Sequence, residues 1–157
     1  MMLYFSLKYL HVIGAAVLLG TGAGIAFFML RAHLTGEAAV IAAVARIVVL
    51  ADFVFTATTV IAQPLTGIAL AHEAGYSLGE SWIVLSIILY LLTGAFWLPV
   101  IWIQIQMRNL ALASLSEAKP LPVRYHKLFR IWFAFGFPAF GAVMAIFWLM
   151  ISRPSIW

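Results

Sequence analysis

The sequence predicts an all-α fold, a bundle of four transmembrane helices, and three observations carry that prediction. Hydrophobic residues make up 66% of the 157 residues and charged ones only 9%, far from the balance of a water-soluble domain. The apolar residues gather into four stretches, 6–30, 41–71, 82–107 and 128–151. Each exceeds the roughly twenty helical residues needed to cross a hydrocarbon core about 30 Å thick. Nearly every charge lies between these stretches. Little chain is left for an extramembrane domain, so 1–157 reads as one integral membrane domain.

The first stretch exceeds the hydrophobic region of a signal peptide and reads as an uncleaved span. It carries Gly14, Gly20, Gly22 and Gly24. Gly20 and Gly24 form a GxxxG pair, which lets a second backbone approach closely, either a neighbour in the same chain or the partner in a homodimer. Glycines also leave room for a flat ligand. The second stretch contains Pro64, which removes a helical hydrogen bond and predicts a kink. The third is followed by residues 110–117, expected as a short interfacial helix, and by Pro120 and Pro122, which keep the connection from continuing as helix. The fourth has Pro138 in mid-helix. Trp82, Trp148 and Trp157 fall near span ends, where indole rings anchor at headgroup level.

The nine Lys and Arg residues set the topology. Arg31 and Arg46 bracket the first connection, and Arg108, Lys119, Arg124, Lys127 and Arg130 lie in or beside the third. Only Lys8 and Arg153 belong to the other face, whose loop carries Glu73 and Glu80. The positive-inside rule puts the basic connections in the cytoplasm and both termini outward, toward the periplasm for a bacterial inner membrane. A pI near 9.8 therefore reports topology, and no nucleic-acid partner is expected. The chain has no cysteine, which excludes disulfides, iron–sulfur clusters and thiolate metal sites.

Polar residues within the spans are the candidates for function, since in lipid each needs a partner or a purpose. Asp52, Thr56, Thr59, Gln63 and Thr66 recur every three or four residues and fall within about 80° of one helix face. That stripe faces other helices or a cavity, as a polar seam or as a polar pathway. Asp52 lies about 18 Å along its helix, where a lone carboxylate costs about 2.5–3.5 kcal/mol. It is expected either in an ion pair, with Arg130 first and Arg46 or Arg108 second, or in a proton relay with Gln63 and Arg130. Tyr90, Thr93, Trp97, Gln104 and Arg108 share a face of the third span. Phe133 and Phe137 share a face of the fourth, either as packing or as the wall of a cofactor site.

Of the four histidines, topology puts His11 and His72 toward one side and His33 and His126 toward the other. A planar macrocycle ligated from both faces needs two imidazoles on facing helices. Only His11 and His72 meet that condition within one chain, with Gly14 and Phe137 as candidates to enclose the ring. The alternative is a hydrogen-bonding interhelical His11 and an ordinary interfacial His72.

The run Leu7-Lys8-Tyr9-Leu10-His11-Val12-Ile13-Gly14, with Gly20-Thr21-Gly22-Ala23-Gly24 behind it, resembles the opening of DUF2269, a bacterial family of integral membrane proteins. The resemblance continues through Arg31-Ala32-His33, Leu50-Ala51-Asp52, Gln63-Pro64-Leu65-Thr66-Gly67 and Trp97-Leu98-Pro99-Val100, with Gln104 and Arg108. It implies membrane residence and no activity. The same opening is more loosely similar to the first span of CopD copper-resistance proteins and HemJ-type protoporphyrinogen oxidases. The HemJ likeness implies a haem ligand at His11, while the later-span lysine of those proteins has no counterpart here. The CopD likeness implies copper handling, for which Met29, Met107, Met144 and Met150 form no paired motif.

Two functional expectations follow. One is a b-type haem membrane protein with His11 and His72 as ligands. It would carry electrons, or oxidise a small or quinone-like substrate with a quinone or redox partner. The other is a small non-redox transporter, channel or assembly subunit with a polar pathway along the second span.

Overall fold

The protein is described by a computed structural model covering residues 1–157. Five α-helices follow one another: α1 (Met2–Thr35), α2 (Ala38–Ala51), α3 (Ala57–Glu73), α4 (Ser81–Ser116) and α5 (Val123–Ser152). A π-helical turn at Asp52–Thr56 joins α2 to α3, so Ala38–Glu73 is a single rod and the molecule has four spans. The expected four-span all-α fold is borne out, without any strand. Two details differ. Residues 110–117 form no separate interfacial helix, because nothing in Leu110–Ser116 breaks α4, which runs on to Ser116. Trp82 is no exposed belt residue: it is buried, edge-on to Tyr76 at 5.4 Å.

The turns follow from local chemistry. α1 ends at Gly36, whose φ of 70° suits a residue without Cβ and lets its N–H reach the His33 carbonyl at 3.1 Å. Gly75, with φ 75°, closes α3 in the same way. Pro122 precedes α5 directly, where its missing N–H costs nothing. The carboxy-terminal tail is pinned across one end of the bundle. Ser81 Oγ donates to the Pro154 carbonyl at 3.1 Å and accepts from the Ile156 N–H at 3.0 Å.

Packing is uneven along the bundle axis. The end that carries the basic connections holds the main core, including Met29, Ile41, Ala45, Met107, Tyr125 and Trp132. The opposite end has a small cluster of Ala71, Trp82, Ile83 and Leu149. Between them α4 packs along α5, and α1 along α3. The two pairs stand apart enough to leave the middle of the bundle hollow. The outer faces are strongly apolar and exposed, as with Phe27, Phe53, Leu65 and Trp102, which is the surface a bilayer covers.

Candidate functional site

The polar stripe of the second span turns inward as its periodicity requires: Asp52, Thr56, Thr59 and Gln63 are buried and Thr66 is half-buried. It divides into two parts with different neighbours. Thr59, Gln63 and Thr66 meet α1, whereas Asp52, Thr56 and again Gln63 line the central hollow.

The α1–α3 seam is closed by hydrogen bonds. Gln63 Nε2 donates to the His11 carbonyl at 2.8 Å. The space a side chain would occupy at Gly14 is taken by that amide, since a Cβ there would lie 2.3 Å from Gln63 Nε2. The His11 ring lies over Gly67, where a Cβ would come within 3.1 Å of Cε1. Thr66 Oγ1 gives its one hydrogen to the Ala62 carbonyl at 2.8 Å. The same hydroxyl lies 3.0 Å from His11 Nδ1, so the imidazole is hydrogen-bonded across the seam.

Pro64 explains a second interhelical bond. Lacking an N–H, it leaves the Val60 carbonyl one turn earlier without its helical partner. The Tyr90 hydroxyl of α4 donates to that carbonyl. The sequence showed Tyr90 and Pro64 separately, and only the fold brings the α4 hydroxyl to the Val60 carbonyl of α3.

The central cavity, partly open at the side, measures about 810 Å³ and takes residues from α1, the second span, α4 and α5. Phe133, Phe137, Phe140 and Phe147 supply an aromatic wall, and Gly22, Gly94 and Gly136 widen it. The polar groups gather around Asp52, only 4% exposed. Trp97 Nε1 donates to Asp52 Oδ1 at 3.4 Å, and the Thr56 and Gln104 side chains lie beside the carboxylate. Two other buried atoms of residues on this wall have no hydrogen-bond partner: Gln104 Oε1 and Trp132 Nε1. Trp132 had no polar neighbour in the sequence to mark it. Its only signal was a position one residue before Phe133.

The remaining expected residues lie elsewhere. Arg130 is exposed and makes no contact with Asp52, and the single ion pair of the chain is Lys119–Glu117 at 2.8 Å. The anticipated Asp52–Arg130 pair does not form, because Arg130 stays exposed near the basic end of α5 while Asp52 is buried. His72 is exposed in a shallow groove with Leu3, Leu7 and Leu65. It stands five residues past Gly67, about 140° around α3 and about 7.5 Å along it. Neither His11 nor His72 lines the central cavity. These placements do not fit a haem held between the two imidazoles: the glycine gap at residue 14 is filled, and the His11 ring of α1 lies against Gly67 of α3 while His72 leaves α3 on another side. Met29 and Met107 are fully buried in the apolar core. At the basic end His33 stacks on Phe129 with centroids 3.5 Å apart and reaches the Tyr125 hydroxyl at 3.3 Å.

A family model described as "Predicted integral membrane protein (DUF2269)" matches residues 5–154. The chain belongs to the DUF2269 family. No curated protein and no solved structure matches the chain. The DUF2269 assignment establishes a lipid-embedded protein with four candidate spans, and the site chemistry rests on the cavity itself.

Proposed function

We propose that this DUF2269 protein binds a lipophilic small molecule with a compact polar head inside the bilayer. The apolar body would lie among the α5 phenylalanines and the head beside Asp52. One observation carries this reading: Gln104 Oε1 and Trp132 Nε1 are buried, unpaired and both belong to residues on the wall of one cavity. An unsatisfied buried polar atom costs about 1–3 kcal/mol, and no lipid chain can relieve it. A bound molecule with donors and acceptors at one end can. The size supports the same class, since about 810 Å³ lies within the usual range of small-molecule sites. The excess of basic residues on the first and third connections supports a cytoplasmic placement of that end.

The test uses protein purified in gentle detergent and examined by native mass spectrometry. Wild type is expected to carry a stoichiometric small molecule. Gly94 lines the cavity, and a Cβ there meets nothing within 4 Å, so Gly94→Leu is expected to fill the space and lose the adduct. Gly20 is equally open but lies off the cavity, so Gly20→Leu is expected to keep it. Absence of any adduct from wild type, or its survival in Gly94→Leu, refutes the reading.

A further inference from the structure

The groups around Asp52 narrow the chemistry of the head. Asp52 is the only carboxylic or basic side chain on the cavity wall. A carboxylate only accepts hydrogen bonds, so the Gln104 amide turns Nε2 toward it, which leaves Oε1 free. The Thr56 hydroxyl lies against the carboxyl as well, and Trp97 Nε1–H reaches it at 3.4 Å. The polar end of the cavity therefore holds one acidic side chain without a counter-ion and a free amide oxygen, and it is walled by aromatic rings.

Resting on the reading of the cavity as a lipophilic-ligand site, we infer that the ligand is a lipophilic amine bound as its ammonium ion. Its N–H groups would meet Asp52 and Gln104 Oε1, its charge would neutralise the carboxylate, and ring faces such as that of Trp97 favour a cation beside them. An anionic head has no cation on the wall to receive it. A quinone carbonyl brings acceptors alone, and so pairs with Trp132 N–H but not with Gln104 Oε1. Trp132 N–H takes an oxygen of the same molecule or a water.

A proton and an ammonium ion compete for the same carboxylate. No other titratable group intervenes. On α4, Tyr90 gives its hydroxyl to Val60, and Arg108 lies on Asn109 at 3.1 Å. Arg130 of α5 and Arg46 of α2 are exposed. α1 brings no titratable side chain to the wall, and His11 turns into the α1–α3 seam.

The experiment places full-length protein in phosphatidylcholine nanodiscs and compares 4-phenylbutylamine with 4-phenylbutanol by calorimetry. The amine is expected to bind at least about tenfold more tightly than the alcohol at pH 8, with affinity falling by up to about tenfold per pH unit on the acid side while the alcohol stays flat. Asp52→Asn is expected to abolish the preference. Should that variant fail to fold, the wild-type pH series carries the same information. Equal binding of both probes overturns the ammonium assignment and leaves the cavity reading standing, whereas binding of neither removes both.

Discussion

Gly14→Ala tests the α1–α3 seam, and its sign depends on one neighbouring side chain. The new Cβ would lie 2.3 Å from Gln63 Nε2 and 3.2 Å from Thr59 Cγ2. The first separation is impossible, so the Gln63 amide must move and give up its 2.8 Å bond to the His11 carbonyl. Stranding that amide costs about 1–3 kcal/mol. Alanine in place of a mid-helix glycine returns up to about 1 kcal/mol. The net expectation is a loss of about 0–3 kcal/mol. In a Gln63→Ala background the obstacle is gone and only the Thr59 methyl remains close, so the same substitution should be neutral or stabilising by up to about 1 kcal/mol. The double-mutant cycle therefore predicts a coupling of about 1–3 kcal/mol. Reversible unfolding in mixed micelles, followed by circular dichroism as sodium dodecyl sulfate is titrated, measures all four corners. Equal effects of Gly14→Ala in both backgrounds would falsify the seam as described.

Other parts of the structure make further predictions. Tyr90→Phe leaves the Val60 carbonyl without a partner and should cost about 1–2 kcal/mol. Adding Pro64→Ala restores a backbone N–H one turn on, so the double variant should recover most of that loss in the same unfolding assay. His33→Ala removes the stack on Phe129 and the contact with the Tyr125 hydroxyl, a loss of about 0.5–1.5 kcal/mol. Incubation with haem b should give no bis-imidazole spectrum. Sharp reduced α and β bands, abolished by either His11→Ala or His72→Ala, would overturn the placement of those two rings.

The architecture was legible because lipid imposes simple rules: four long apolar stretches and a seven-to-two charge asymmetry leave few alternatives. The inward face of the second span was legible for the same reason. What that face meets was not. Periodicity gives a helix its inner side, but rotation and partner follow from packing. The stripe running from Asp52 to Thr66 thus looked uniform, while the structure gives one half to α1 and the other to a cavity. The π-helical turn at Asp52–Thr56 had no sequence signature of its own. Such turns gather at functional sites, and here the turn carries Asp52 and Thr56 onto the cavity wall. His11 stood out because an ionisable ring within a span demands a partner. That partner is Thr66, fifty-five residues away, and the sequence could not distinguish it from a metal.

Stability and binding should be separable in this molecule, because its close packing and its hollow lie at different levels. Met29 is completely buried in the cluster at the basic end. Truncating such a side chain removes contacts on all sides and leaves a void, a loss of about 2–5 kcal/mol in well-packed interiors. Phe137 is 66% exposed although it lines the cavity and touches Phe133 edge-on at 5.1 Å. Most of its surface has no protein neighbour to lose, so Phe137→Ala should cost less than about 1 kcal/mol. The ligand, however, would lose one side of its apolar pocket. Met29→Ala is thus expected to lower resistance to sodium dodecyl sulfate while leaving the native-mass adduct in place, and Phe137→Ala to do the reverse. If Phe137→Ala destabilises as much as Met29→Ala, the aromatic wall is closed packing in the bilayer, and the space beside Asp52 is not a binding site.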